Sequence, residues 1–241
     1  MKHKAIHDTR FFFATAPLPC PYLPDRVERR VVTELMGRDA VAVHDRLSLA
    51  GFRRSHGIVY APACAGCQEC IAVRVLAQEF KPSRSQRRIL SLNRNVLAEE
   101  VPLVATEEQY LLFSKYQKCR HTGGDMASMT YVDYQALIEE TPVNTFLYEY
   151  RDPDGCLIAV CLADRVERGL SAVYSFFEPK LRKRSLGTFM ILQLNSQARH
   201  LGLDHVYLGY WINECAKMSY KGRFQPLESK TIKGWVRFDV A

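Results

Sequence analysis

The order of strands and helices predicted between residues 146 and 210 constrains the fold more than any other feature of this sequence. Two β-rich runs flank Asp152-Pro153-Asp154-Gly155, a turn signal that predicts a β-hairpin. A third strand, a basic turn, a long helix closed by Gly202 and a fourth strand follow. The predicted strands cover residues 146–150, 156–162, 170–177 and 205–210, and the helix covers 186–201. This order indicates a mixed α/β (α+β) sheet.

The basic turn at residues 182–188 reads Arg-Lys-Arg-Ser-Leu-Gly-Thr and lies between the third strand and the long helix. Backbone N–H groups and the helix dipole favour anions at such a turn, and Gly187 lets the backbone approach a ligand closely. We therefore predict a phosphate site that includes Lys183, Arg184, Ser185 and Gly187. An ordinary basic helix start is the alternative. The arrangement resembles the N-acetyltransferase (GNAT-like) fold, whose loop before the helix holds a pyrophosphate.

The first 98 residues have a different pattern, rich in turn signals, with four prolines between residues 17 and 24. Their predicted elements are a helix at 26–36, a strand at 71–76 and a basic helix at 83–97. After residue 98, two more helices are predicted at 107–118 and 131–140. The change of pattern predicts a smaller, cysteine-containing N-terminal domain at 1–98 and a GNAT-like catalytic domain at 99–241.

The charge of the chain is unevenly distributed. The formal net charge is +7, and residues 1–100 carry 16 Lys and Arg against 10 Asp and Glu. A basic half suggests a polyanionic partner such as nucleic acid, although a basic surface also serves solubility. The longest apolar run, residues 157–163, is far shorter than the roughly 20 residues that cross a membrane. We expect neither a membrane span nor export, and therefore a cytoplasmic protein.

Three of the eight cysteines are spaced Cys64-x2-Cys67-x2-Cys70, which suits a metal better than disulfides. Cys20, flanked by prolines, is a candidate fourth ligand. Zinc and a [4Fe–4S] cluster both fit the spacing, and either would require a reducing compartment. The other four cysteines are predicted to be buried free thiols: Cys119, Cys156, Cys161 and Cys215.

Several sets of residues resemble motifs of the arginyl/leucyl-tRNA–protein transferase family. The N-terminal motifs are Cys20-Pro21-Tyr22-Leu23-Pro24-x-Arg26, Gly51-Phe52-Arg53-Arg54-Ser55, Tyr60-x-Pro62-x-Cys64-x2-Cys67-x2-Cys70 and Phe80-x-Pro82-Ser83-Arg84-Ser85-Gln86-Arg87-Arg88. The C-terminal motifs are Arg120-His121-Thr122-Gly123-Gly124-Asp125-Met126, Arg184-Ser185-Leu186-Gly187, Tyr207-Leu208-Gly209-Tyr210-Trp211-Ile212 and Lys217-Met218-x-Tyr220-Lys221. They occur in the order expected for the family and span residues 17–237.

The resemblance implies an aminoacyltransferase that moves an amino acid from charged tRNA to the N-terminus of an acceptor protein. The short chain is similar to the bacterial branch, which donates leucine to N-terminal Asp or Glu and so marks proteins for degradation (the N-end rule). Longer relatives donate arginine. Because an aminoacyl ester is already activated, the chemistry requires no cofactor.

The site residues that we predict fall into three groups. The catalytic group contains an oxyanion donor, a proton acceptor and a cation: Tyr210, His121 and Lys217. The tRNA-binding group follows the basic helix and the basic turn: Arg84, Arg87, Arg88, Lys183, Arg184, Ser185 and Gly187. The acceptor-binding group supplies cations and aromatic surface: Arg53, Arg54, Tyr220 and Lys221. Two other functions stay open, a GNAT-like acyltransferase that uses acetyl-CoA and a non-enzymatic metal-containing nucleic-acid-binding protein.

Overall fold

The computed structural model describes residues 10–120 and 124–239. The strands are β1 Phe13–Ala14, β2 Leu18–Pro19, β3 Val27–Glu28, β4 Arg30–Glu34, β5 Arg53–Ser55, β6 Ile58–Pro62, β7 Ile71–Leu76, β8 Leu97–Val101, β9 Thr145–Arg151, β10 Leu157–Val166, β11 Gly169–Phe177, β12 His205–Trp211, β13 Leu227–Thr231 and β14 Gly234–Arg237. The helices are α1 Ala40–Leu49, α2 Arg84–Leu92, α3 Glu107–Arg120, α4 Tyr131–Glu139, α5 Leu186–His200 and α6 Ala216–Ser219. Short 3₁₀ turns cover Asp125–Ser128, Pro179–Arg184 and Tyr220–Arg223.

A large sheet organises the fold, with strand order β14-β13-β7-β12-β11-β10-β9-β8. Strands β11 and β12 run parallel, and α5 connects them; the other strand pairs described in this sheet are antiparallel. This connectivity is the GNAT-like arrangement that the sequence predicts. Strands β7 and β8 belong to the same sheet, so the predicted boundary at residue 98 does not coincide with a boundary between sheets.

Helices cover both faces of the large sheet. Strand β10 shows how its side chains alternate: Cys161 and Ala163 pack in the core with α5, whereas Val160 and Leu162 pack with α3 and α4. Because both faces are covered, β10 is apolar and buried over most of its length. This explains why residues 157–163 form the longest apolar run of the chain.

Most of the predicted elements of the large sheet are confirmed within a few residues of their predicted ends. The basic helix is α2, and Ser83 caps it in a capping box with Gln86. The predicted helix at 26–36 is wrong, because this segment forms β3 and β4. Strand β4 pairs along its whole length with β6, and its β-branched residues suit a strand better than a helix.

A smaller antiparallel sheet, with order β1-β4-β6-β5, is fixed to the large sheet by a buried ion pair. Arg54 on β5 donates from Nε to Asp164 Oδ2 of β10 at 2.7 Å and from Nη2 to Oδ1 at 2.8 Å. The Thr145 hydroxyl donates to the same carboxylate at 2.8 Å, and His44 Nε2 lies 3.4 Å from it. Burial lowers the pKa of His44, which favours the neutral ring. Arg54 is therefore a buried structural residue, and these contacts do not support its predicted role in acceptor binding.

We expect Asp164→Asn to lower the free energy of unfolding by about 3–5 kcal/mol, because the buried Arg54 charge loses its counter-ion. Urea denaturation followed by circular dichroism measures the change. The matched control is Asp204→Asn, whose partner Arg168 is largely exposed, and its expected cost is about 1 kcal/mol or less. Equal losses in the two variants would contradict a dominant role for the buried pair.

Candidate active site and basic groove

The large sheet opens between β11 and β12. The two strands pair only from Gly169 to Ser171 and from His205 to Tyr207, although both continue well beyond this region. A register shift between Tyr207 and Gly209 marks the point on β12 where the regular pairing with β7 is interrupted. Strand separation leaves backbone carbonyl groups without a neighbouring strand, and it forms an opening at the carboxyl ends of β11 and β12.

Arg53 from the small sheet fills part of this opening. Its Nη2 donates to the carbonyl oxygens of Ala172 at 2.9 Å and Val173 at 3.2 Å, and its Nη1 donates to Leu208 O at 3.4 Å. Gly209 has φ of +73°, and a Cβ atom there would lie 1.7 Å from Arg53 Nη1. The glycine is therefore required by both its backbone conformation and the guanidinium beside it. Arg53 remains partly exposed, unlike Arg54.

Two of the predicted site residues are buried structural groups. The Tyr210 hydroxyl makes hydrogen bonds to the carbonyl oxygens of Gly51 at 3.2 Å and Tyr60 at 3.1 Å. Lys221 is 6% exposed and donates from Nζ to Tyr210 O at 2.6 Å. Burial, and then the charge of Arg53, lower the pKa of Lys221 well below its usual range. These internal contacts do not support the predicted roles of Tyr210 as an oxyanion donor and of Lys221 as an acceptor contact.

A cleft of about 410 Å³ lies at the open end of the sheet. Two predicted residues from the end of the chain, Lys217 and Tyr220, form part of its lining, and Ser185 and Gly187 at the start of α5 form another part. Burial raises the pKa of Tyr220 to about 12, so its hydroxyl stays protonated at neutral pH. The predicted proton acceptor His121 lies outside the described residues.

The cleft also contains residues that we did not select from the sequence. Arg120 and Tyr116 reach it from α3, and Ser175 and Phe177 reach it from the end of β11. The Arg120 guanidinium lies 5.9 Å from the centroid of the Phe177 ring. The Arg120-His121 motif signals only the first of these four residues. The others come from a helix and a strand whose sequences look like ordinary core segments.

A basic groove of about 1050 Å³ adjoins the cleft, and the two share Ser185. The groove brings the two predicted basic segments together, with Arg84 and Arg88 from α2 opposite Lys183 and Arg184 from the turn. Arg87 does not line the groove; its Nη1 donates to Pro82 O at 2.8 Å.

The two sides of the groove are held together by a direct contact. Asn93, which follows α2, donates from Nδ2 to Arg184 O at 2.8 Å. Ser185 has φ of +51° and no side-chain capping bond, so the first N–H groups of α5 have no cap from this residue. A helix start without a side-chain cap and four cationic side chains give this surface a positive potential.

The four cysteines of the predicted metal site line one cavity of about 20 Å³. The Arg29 backbone N–H donates to Cys64 Sγ at 3.4 Å, and Arg26 Nη1 donates to Cys67 Sγ at 3.4 Å. Burial, followed by the other three cysteines, raises the pKa of Cys70 to about 12. In the part of the chain that the structure describes, no three His, Cys, Asp or Glu side chains are arranged to hold a metal ion.

The other cysteines divide into two pairs. Cys161 and Cys215 are buried thiols, as predicted. Cys119 and Cys156 are exposed, so the prediction that they are buried is wrong. Cys156 follows the turn at 152–155 and immediately precedes β10, where the chain still lies at the surface.

Comparison with known proteins gives the family. The model of the arginine-tRNA-protein transferase N terminus matches residues 18–88, and the model of its C terminus matches residues 108–231. The chain belongs to the arginyl/leucyl-tRNA–protein transferase family. Both halves of the family pattern are therefore present in one chain, and both contribute residues to the lining of the basic groove.

Similar curated proteins belong to the aspartate/glutamate leucyltransferase branch of this family. The protein of that name from Paramagnetospirillum magneticum is 55% identical over 99% of this chain and 98% of its own length. Those from Rhodospirillum rubrum and Gluconacetobacter diazotrophicus are each 51% identical over 99% of this chain and over 98% and 92% of their own lengths.

The solved structures that resemble this chain share much less of its sequence. FemX has a TM-score of 0.49 and 10% identity, over 79% of this chain and 66% of its own. L-PGS from Bacillus licheniformis has a TM-score of 0.46 and 11% identity, over 75% of this chain and 52% of its own. Among the described residues, no helix is both long and apolar enough to span a membrane.

Proposed function

We propose that the protein transfers leucine from leucyl-tRNA to the N-terminus of proteins that begin with Asp or Glu, and so marks them for degradation by the N-end rule. The observation that carries this proposal is the basic groove that leads through Ser185 into the cleft. The leucyltransferase relatives, which match nearly the whole chain, support leucine over arginine as the donor amino acid. A cytoplasmic location follows from the need for charged tRNA.

The groove has the charge and position to hold the acceptor end of a tRNA. Arg84 and Arg88 on one side and Lys183 and Arg184 on the other would neutralise phosphates. The 3′ end would then pass Ser185 and place the aminoacyl ester in the cleft. In the alternative hypothesis, acetyl-CoA would bind at the same helix start. That hypothesis gives no role to the cationic side of α2.

The reaction exchanges an ester for an amide. The α-amine of the acceptor attacks the ester carbonyl, the bond from that carbon to the tRNA ribose oxygen breaks, and the released oxygen takes up the proton that the amine loses. An α-amine has a pKa of about 7.7–8.0, so a substantial fraction is unprotonated near neutral pH. The protein has to position the two substrates and stabilise the developing oxyanion.

Tyr220 and Lys217 are the side chains in the cleft best suited to stabilise negative charge. The Tyr220 hydroxyl makes no hydrogen bond to another described residue, and it keeps its proton because burial raises its pKa. Lys217 is exposed on the adjacent turn and adds a positive charge. Ser185 and Gly187, at the start of α5, line the same cleft, where the positive end of the helix dipole favours negative charge.

Arg53 is the cation that we assign to the acidic side chain of the acceptor. It is partly exposed in the opening between β11 and β12, and the hydrogen bonds described for its guanidinium go to neutral carbonyl groups. A carboxylate would supply the missing counter-charge. Arg54 cannot compete for this role because Asp164 already neutralises it.

We expect purified protein to form leucyl-Asp and leucyl-Glu peptides from leucyl-tRNA, identified by mass spectrometry. Peptides that begin with Arg or Lys should not react, because Arg53 would repel them. Tyr220→Phe should lower kcat by about 10²-fold, the usual cost of one oxyanion donor.

The matched control is Tyr148→Phe on β9, away from the cleft, which should keep its activity. Use of acetyl-CoA as the only donor would contradict the proposed function. Preference for arginyl-tRNA would contradict the choice of donor, and equal kcat values for the two tyrosine variants would contradict the role of Tyr220.

Joint replacement of Arg84, Arg88 and Lys183 by Gln should weaken tRNA binding and flatten its dependence on salt. Each lost phosphate contact should reduce the slope of log K against log salt by about 0.7–0.9. Fluorescence anisotropy at several salt concentrations measures the slope. The matched control is a triple variant on the β13–β14 hairpin, in which Gln replaces Lys230, Lys233 and Arg237. It should leave the salt slope unchanged. Equal slopes in the two triple variants would place the tRNA elsewhere.

We also propose that Cys20, Cys64, Cys67 and Cys70 bind a metal centre. All four line one cavity, and the donors from Arg26 and Arg29 would stabilise thiolate sulfurs. The ligand set suits either a zinc ion or a [4Fe–4S] cluster. The side chains would have to move closer together, and Cys70 would have to lose its proton.

Protein purified without oxygen should contain about one metal centre per chain by elemental analysis. Cys67→Ser should lose most of the metal, because one of the four thiolate ligands is removed. Cys119→Ser, an exposed cysteine outside the cavity, is the matched control and should keep it. A metal-free preparation with unchanged activity and stability would contradict the proposed metal centre.

A further inference from the structure

An exposed aromatic segment forms one edge of the small sheet. Phe11, Phe12 and Phe13 are 68%, 47% and 59% exposed, and the ring centroids of Phe11 and Phe13 lie 6.5 Å apart. Within the described residues, β1 pairs only with β4, so its other backbone edge is open. An open edge strand with exposed apolar side chains is a typical site for pairing with another extended chain.

The aromatic edge lies in one row with the acceptor-binding arginine. Phe13 is opposite Val32, Val32 is opposite Tyr60, and Tyr60 is opposite Arg53. Directly opposed residues project from the same face of a sheet, so Phe13 and Arg53 lie on one face. Three steps between strands separate their backbones by roughly 14 Å. An extended peptide covers that distance with about four residues.

The lack of charge in this segment favours a polypeptide over tRNA as its partner. Residues 11–19 contain no charged side chain, so they cannot neutralise the phosphates of tRNA. The cations for those phosphates lie in the basic groove. The N-terminus of an acceptor protein must be extended to enter the cleft, and its following residues must leave across a neighbouring surface. The row from Arg53 to Phe13 provides that surface at the correct distance.

We propose that the edge of β1, with Phe11 and Phe13, docks residues about 4–6 of the acceptor polypeptide, and prefers apolar residues there. The inference depends on the proposed function, since it places the acidic first residue of the acceptor at Arg53. The backbone edge supports it independently of the rings. Thr15 N–H donates to Arg30 O at 2.9 Å, so by alternation the N–H of Ala14 points away from β4 towards the open edge.

The test compares three acceptor peptides that begin with Asp: one of three residues, one of eight with Leu-Val-Leu at positions 4–6, and one of eight with Ser at these positions. With leucyl-tRNA as donor, we expect the apolar long peptide to have a KM roughly ten-fold lower than the other two. Phe11→Ser combined with Phe13→Ser should abolish this advantage. Its KM for the three-residue peptide and for leucyl-tRNA should stay unchanged, which also shows that the variant is folded.

Two further variants sharpen the test. Ala14→Pro removes the outward N–H without removing a hydrogen bond to β4, and it should raise the KM of the apolar long peptide while leaving that of the three-residue peptide unchanged. Leu111→Ser, on the exposed face of α3, is the matched apolar control and should change none of the three values.

Equal KM values for the three peptides with wild-type protein would overturn the docking site while leaving the proposed function intact. Absence of leucyl transfer to all three would overturn both. A wild-type dimer that the double Phe variant dissociates, with no effect on the KM of any peptide, would assign the edge to a second copy of the chain and overturn the proposal.

Discussion

Two adjacent arginines on the three-residue strand β5 determine how the two sheets meet. Successive side chains of a strand point to opposite faces, so Arg53 and Arg54 reach different parts of the large sheet. Arg54 ends on the buried carboxylate of Asp164, where its charge is neutralised. Arg53 ends in the opening between β11 and β12, where it binds carbonyl groups that strand separation has left unpaired. One short strand therefore both attaches the small sheet to the large sheet and shapes the opening between β11 and β12.

The site that results combines distant parts of the chain. Helix α2 brings cations from the first half of the chain to the basic turn before α5. The hydrogen bond from Asn93 to Arg184 O holds the end of α2 against this turn. Ser185 then connects the groove with the cleft, where Tyr220 and Lys217 lie. Because an aminoacyl ester is already reactive, this arrangement of charge and shape is most of what the chemistry demands.

The segment that follows β12 lies between the cysteine cavity and the cleft. Ile212 and Cys215 are buried with Leu23, and the partly buried residues Cys20, Tyr22, Cys70 and Met218 pack against them. Lys217 lies on the same turn but faces the cleft. The segment that carries Lys217 therefore packs directly against two of the four cysteines.

The sequence by itself determined the elements with strong local signals and the family. Strands β9 to β12, helix α5 with its terminating Gly202, and the capping box at Ser83 could all be predicted, because turn chemistry, capping and periodicity are local properties. The basic groove was also within reach, since charged segments are visible in the sequence.

Only the tertiary structure decided which polar residues are accessible and which are buried with internal partners. Arg53 and Arg54 are chemically identical neighbours, yet one is a buried structural ion and the other is partly exposed at the opening. Tyr210 and Lys221 look like site residues in the sequence, but their polar atoms bind backbone carbonyls inside the protein. The sequence of β4 wrongly predicts a helix, because the strand that pairs with it, β6, lies more than twenty residues away. Burial and hydrogen-bond partners depend on such distant contacts, and no local pattern records them.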